Sequence, residues 1–210
     1  MKVILVNGGP HKEGCTYTAL REVADALEQD GVETEIFWLG NDPVAGCIDC
    51  GYCKKTDRCF RNDCVNEFLE KAEDADGFVF GTPVHFASAA GALISFLDRA
   101  FYGRDFSGKV GAAVISCRRA GATATFDEIN KYFAIKGMPI VTSSYWNMVH
   151  GNTPEEVKQD LEGMQTMRIL GKNMAWLLKC IEAGKQAGVP APEKEEKIWT
   201  KIGRASCRER

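Results

Sequence analysis

Short apolar runs alternate with amphipathic segments along most of the chain. Val3 to Val6 is a continuous apolar run closed by Asn7-Gly8-Gly9-Pro10, the pattern of a strand buried on both faces. From Thr16, apolar residues recur at three- and four-residue spacing (Leu20, Val23, Ala24, Leu27) until Gly31, which predicts a helix. Val32 to Leu39 predicts a second strand. A helix is expected from about Cys64 to Ala75, with Val65, Phe68, Leu69 and Ala72 on one face. Gly77 to Gly81 predicts a third buried strand ended by Thr82-Pro83, then a helix over Ala89 to Phe101 with Leu93, Phe96 and Leu97 as core positions. Lys109 to Ser116 predicts a fourth strand, Thr123 to Ile135 a helix, and Pro139 to Ser143 a short fifth strand. One long helix is expected from Thr153 to Ala183, and Gly188-Val189-Pro190-Ala191-Pro192 closes the ordered part.

This alternation argues for a parallel sheet with helices on both faces, and right-handed crossovers place the ligand-binding loops at one sheet edge. A chain of 210 residues can bury one core, so a single domain is expected over residues 1–184, with a terminal extension over 185–201. Residues 202–210 have no periodicity and resemble the translation of a sequencing-adapter DNA; they are expected to be non-native. The apolar fraction of 45%, the charged fraction of 26% and the net charge of -3 are those of a soluble globular protein. Lys and Arg form no long stripe, which argues against a nucleic-acid partner, and no apolar stretch approaches the roughly 20 residues needed to cross a bilayer. Met1 to Asn7 reads as a strand rather than an export signal, so a cytoplasmic location is expected. The nine cysteines are then not expected to form a disulfide scaffold.

The segment from Asn7 to Thr18 joins the first strand to the first helix. Its glycines permit close backbone approach, and the helix start offers unpaired N–H groups to an anion. Gly9-x4-Gly14-Cys15-Thr16 approaches a triphosphate-binding loop, but Cys15 stands where that loop needs lysine. Arg21 lies inside the helix, which makes a Cys15/Arg21 phosphatase pair a poor match, and no G-x-G-x-x-G fingerprint is present. A small phosphate monoester suits this loop best. The plainer alternative is a tight turn with Thr16 as helix cap.

A second cue is the spacing Cys47-x2-Cys50-x2-Cys53-x5-Cys59, with Cys64 as a spare. Four thiols this close could surround one metal centre. A zinc ion and simple packing of reduced thiols are the alternatives. Lys54, Lys55, Arg58 and Arg61 could offset the charge of such a centre.

With these loops the chain resembles flavodoxin-like NAD(P)H-dependent FMN reductases, especially the iron–sulfur flavoprotein branch, over roughly residues 2 to 150. The resemblance implies a three-layer α/β/α sandwich with a five-stranded parallel sheet in the order 2-1-3-4-5. It implies that Gly9, His11, Cys15, Thr16, Tyr17 and Thr18 surround the FMN phosphate, although the usual family loop carries serine at Gly9 and asparagine at Cys15. Pro83, Val84, His85, Phe86 and Ser88 would lie along the isoalloxazine ring. Arg119, the preferred cation, with Arg118 second, and Gly121 would border its pyrimidine side, and Trp146 would shape the substrate side. Cys47, Cys50, Cys53 and Cys59 match the branch's [4Fe–4S] ligands.

The implied activity is electron transfer from NAD(P)H through FMN to a small-molecule acceptor or a redox protein. No side-chain acid or base is nominated, because the flavin carries the chemistry. A homodimer or homotetramer is expected. A non-catalytic flavodoxin-type carrier is the rival reading, and a hydrolase or phosphatase on a similar fold is a third, disfavoured by the missing G-x-S-x-G elbow.

Overall fold

The computed structural model describes residues 1–196 and 198, so the 202–210 tail lies outside the described residues. The elements are β1 (Lys2–Asn7), α1 (Cys15–Gln29), β2 (Glu33–Trp38), α2 (Cys53–Thr56), α3 (Cys64–Lys71), β3 (Gly77–His85), β4 (Ser88–Ala89), α4 (Gly91–Gly103), β5 (Val110–Cys117), α5 (Ala122–Ile135), β6 (Met148–His150), α6 (Pro154–Gln159) and α7 (Leu161–Gln186). The sheet runs β2-β1-β3-β5-β6, with every neighbour parallel. Leaving aside β4, which pairs back on β3, this is the expected 2-1-3-4-5 order of a flavodoxin-like sandwich.

Successive strand residues point to opposite faces, and the two faces have different cores. Ile4, Val6, Phe78, Phe80, Ala113 and Ile115 meet α3, α4 and α5. Val3, Leu5, Val79, Ala112 and Val114 meet α1 and α7. The first core is aromatic. Phe68 lies 5.1 Å from Phe96 and 5.5 Å from Phe78, ring centre to ring centre. Such pairs add about 0.5–1.5 kcal/mol each beyond the area they bury. The second core is aliphatic, and α7 approaches α1 closely at Gly171, where a Cβ would fall 2.6 Å from the Val23 carbonyl oxygen.

The helix expected to reach Ala75 ends at Lys71, and three larger departures from expectation concern the strands and the last helix. Pro83 does not end β3; the strand continues to His85, and the turn Phe86-Ala87 (φ 53° and 60°) folds Ser88–Ala89 back on Val84–His85. Proline has no N–H to give a ladder, yet it is tolerated here near the strand's end.

The fifth strand is not Pro139–Ser143. Only Ile140 bridges Gly111 there, and the strand forms at Met148–His150 instead. The intervening chain leaves the sheet, stitched by the Ser143 hydroxyl, whose oxygen lies 2.8 Å from Tyr145 O and 2.7 Å from Asn147 Oδ1, its one proton shared between them. The expected Thr153–Ala183 helix breaks at Asp160. Its carboxylate accepts from Gly163 N at 2.9 Å, capping α7, and from His150 N at 2.7 Å.

Candidate functional site

Asn7, the last residue of β1, is fully buried and organises the loop that follows. Its amide nitrogen donates to His11 O at 3.4 Å and Lys12 O at 3.1 Å, while its oxygen accepts from Gly9 N at 2.9 Å. Trp38, paired with Asn7 in register at the end of β2, donates Nε1–H to Gly9 O at 2.9 Å. Gly8 N donates to Gly81 O at 2.9 Å, and a Cβ at Gly8 would fall 2.9 Å from Leu93 Cβ. The loop is thus fixed to the ends of β1, β2 and β3.

Gly14 occupies the cap position of α1, not Thr16, and the helix has no side-chain cap. Thr18 gives both its N–H (3.0 Å) and its hydroxyl (3.1 Å) to Gly14 O. The opening amides of the helix therefore have no side-chain acceptor, an arrangement that suits an anion.

That cleft opens at the carboxyl ends of β1, β3 and β5, with a volume of about 250 Å³. Gly9, His11, Cys15, Thr16, Pro83, Val84, His85 and Arg118 line it. The other expected cofactor residues lie elsewhere. Tyr17 and Thr18 follow in the first turn of α1, and Phe86 stands fully exposed at the hairpin tip. Ser88 donates to Glu128 Oε2 at 2.7 Å, which also accepts from Ala89 N at 3.0 Å, tying the hairpin to α5.

Gly121 (φ 91°) caps α5 and packs against Ala87, where a Cβ would lie 2.6 Å from the Ala87 Cα. Arg119 is exposed. Trp146 sits edge-on to Tyr145 at 4.7 Å, on the excursion before β6.

Pro10, Gly14, Ser116, Cys117, Gly151 and Asn152 complete the lining, and of these Asn152 was not anticipated. Asn7 and Trp38 were missed as well. A polar residue ending an apolar strand was the available signal for Asn7.

Burial pushes the Cys15 thiol up, and the Glu156 and Glu155 carboxylates add to it. Burial also raises Cys117, whose Sγ lies 3.4 Å from His150 Nδ1. These thiols are therefore held protonated. Arg21 pairs with Asp25 at 2.8 Å and Glu28 at 2.7 Å along α1 and does not line the cleft, so the elements of a phosphatase do not meet.

Cys47, Cys50, Cys53 and Cys59 line a second cavity together with Arg99 and Tyr102. Cys64 lies outside it, at the start of α3, where burial and then Asp63 push its thiol up to about 11. Burial raises Cys53, and the neighbouring Cys47, Cys50 and Cys59 add to this. Among the described residues no group of three or more His, Cys, Asp or Glu side chains is placed to hold a metal ion. Four soft donors around a shared space fit a larger, multi-iron group in kind and number.

Of the expected offsetting cations, Lys54 and Arg61 line the cavity, Arg61 also lying over the Phe60 ring at 5.0 Å, while Arg58 pairs with Glu70 at 3.2 Å. The buried cation at the cavity is Arg99 of α4, which sequence reasoning missed.

Residues 1–153 match the family described as NADPH-dependent FMN reductase. The chain belongs to this family. Within it, an iron–sulfur flavoprotein of Methanocaldococcus jannaschii is 35% identical over 192 residues, covering 87% of this chain and 100% of that protein. An iron–sulfur flavoprotein of Methanosarcina thermophila is 29% identical, covering 88% of this chain and 99% of the relative. A flavodoxin from the domain Archaea shares the fold, with a TM-score of 0.57 at 16% identity over 85% of this chain and 99% of its own. RosB with bound 8-demethyl-8-formylriboflavin-5'-phosphate superposes with a TM-score of 0.66 at 16% identity, over 100% of this chain and 95% of its own. This member of the reductase family is a flavin-binding oxidoreductase with FMN as its cofactor. Among the described residues no helix is long and apolar enough to cross a membrane.

Proposed function

We propose that the protein takes electrons from NAD(P)H onto FMN held in the cleft and delivers them to a small-molecule acceptor or a redox partner. We propose further that Cys47, Cys50, Cys53 and Cys59 hold a [4Fe–4S] cluster as a second redox centre. The observation that carries the reading is the meeting of three strand-end segments, Gly9–Thr16, Pro83–His85 and Ser116–Arg118, around one cleft. When bound, FMN supplies hydride acceptance and onward electron transfer, and the cluster supplies one-electron steps.

The chain's own groups do the rest. The uncapped start of α1 attracts the phosphate, and Asn7 with Trp38 keeps Gly9 in the shape that lets backbone approach it. Pro83, Val84 and His85 give a stiff wall for a flat ring. Arg118 brings positive charge to the lining at the end of the neighbouring strand β5, where it favours an anionic reduced ring.

Cys15 and Cys117, kept protonated, add no competing charge. Protein prepared without oxygen and supplied with FMN, iron and sulfide is expected to hold one FMN and about four iron and four sulfide per chain. Colourless protein that cannot take up FMN defeats the flavin assignment, and yellow, iron-free protein defeats the cluster.

A further inference from the structure

Arg99 is a buried cation whose partners all belong to the cysteine segment. Its side chain is 1% exposed. Nη1 and Nη2 grip the Asp63 carboxylate at 2.7 and 2.8 Å. Nε lies 3.3 Å from Cys59 Sγ. Nη1 also reaches Ala45 O at 3.3 Å, and Nη2 reaches Arg61 O at 3.4 Å.

One guanidinium therefore spans the chain just before Cys47 and just after Cys59. Asn66 holds Cys59 from another side. Its oxygen accepts from Cys59 N at 2.9 Å, and its nitrogen donates to Cys59 O at 2.9 Å and Arg61 O at 3.0 Å.

A structural ion pair needs only the Arg99–Asp63 fork. The third nitrogen gives its N–H, Nε–H, to sulfur, a weak acceptor as a thiol and a good one as a thiolate. Asp63 is partly solvated, with 32% of its side chain exposed, so it offsets the buried charge incompletely.

We propose that Arg99 is a positioning residue that holds the Cys59 sulfur in its ligating orientation and raises the reduction potential of the centre bound there. The proposal rests on the reading that the four cysteines bind a [4Fe–4S] cluster. One-electron reduction adds negative charge to a centre already made anionic by its thiolates. A cation donating a hydrogen bond to a ligating sulfur stabilises the reduced form more than the oxidised one.

The test compares wild-type protein with Arg99→Lys and Asp63→Asn, each reconstituted anaerobically with FMN, ferrous iron and sulfide. Potentials are read by dithionite titration with electron paramagnetic resonance of the reduced centre. Arg99→Lys keeps a cation but loses the planar fork that serves Asp63 and Cys59 together, and its potential is expected to fall. Asp63→Asn keeps an acceptor for Val65 N, the α3 cap at 3.2 Å, while removing the offsetting charge. Its potential is expected to rise.

Opposite shifts at retained FMN and iron content are not produced by a purely structural role. Equal potentials in all three proteins, or shifts of the same sign, overturn the role of Arg99 while leaving the cluster standing. Wild-type protein that binds FMN but no iron overturns the cluster reading and the role of Arg99 with it.

Discussion

Asn7 shows what a single polar side chain does at the end of an apolar strand. It satisfies two carbonyls and one amide of the loop that lines the cleft, while its own side chain is fully buried. Asn7→Ala is expected to cost about 1–3 kcal/mol of stability, because those groups lose their partner. FMN affinity is expected to fall tenfold or more, as read by fluorescence titration of the apoprotein.

Glycine and threonine spacing made this loop legible in the sequence. Its fastenings were not legible: Trp38 meets Gly9 across 29 residues, and Arg99 meets Cys59 across 40. Local patterns cannot report such pairings.

Cys64 offers a second check at this scale. With its thiol at about 11, its thiolate fraction climbs tenfold per pH unit through the alkaline range. Iodoacetamide labelling of Cys64 in folded, metal-free protein is expected to accelerate roughly a hundredfold between about pH 8 and pH 10. An ordinary thiol gains less than about tenfold over that interval. Peptide mass spectrometry measures the rates.

At the scale of elements, the departures from expectation sit where side chains override periodicity. The β3–β4 hairpin forms although Pro83 suggested a strand end. Glu128 ties down its second strand, and Gly121 fits beneath its tip. The amphipathic pattern from Thr153 to Ala183 is helical almost throughout, but periodicity is blind to a break that preserves the apolar face.

Asp160 makes that break by joining β6 to α7. Asp160→Ala is expected to cost about 0.5–2 kcal/mol as a lost cap, with further loss from the unpaired His150 amide. Urea unfolding at neutral pH measures it. An unchanged midpoint would mean that the cap contributes nothing.

Taken whole, the molecule was legible in its layers. Two-faced apolar strands separated by one-faced helices argued for the layers, and the observed strand order is the one the family resemblance implied. The outer strand was misplaced because its pairing is divided between Ile140 and Met148–His150, and β propensity cannot foresee an excursion held by Ser143 and Asn147.

Of the candidate site, the sequence pointed to the strand-end loops but not to the selection among their residues. Arg118 lines the cleft where Arg119 does not, and Ser88 serves Glu128. The cysteine cavity lies on α2 and the loops around it, with Arg99 of α4 behind. The sheet-edge cleft and the cysteine segment are thus two separate regions of the structure, the first proposed for FMN and the second for the iron–sulfur group.

The most direct measurement is anaerobic mixing of the FMN-loaded protein with NADH or NADPH, followed through the flavin's visible absorption. Bleaching by a stoichiometric amount of at least one nicotinamide is the predicted result. A flavin that stays oxidised with both, yet is reduced by dithionite, would contradict it and make the protein a carrier that must be charged by another reductase.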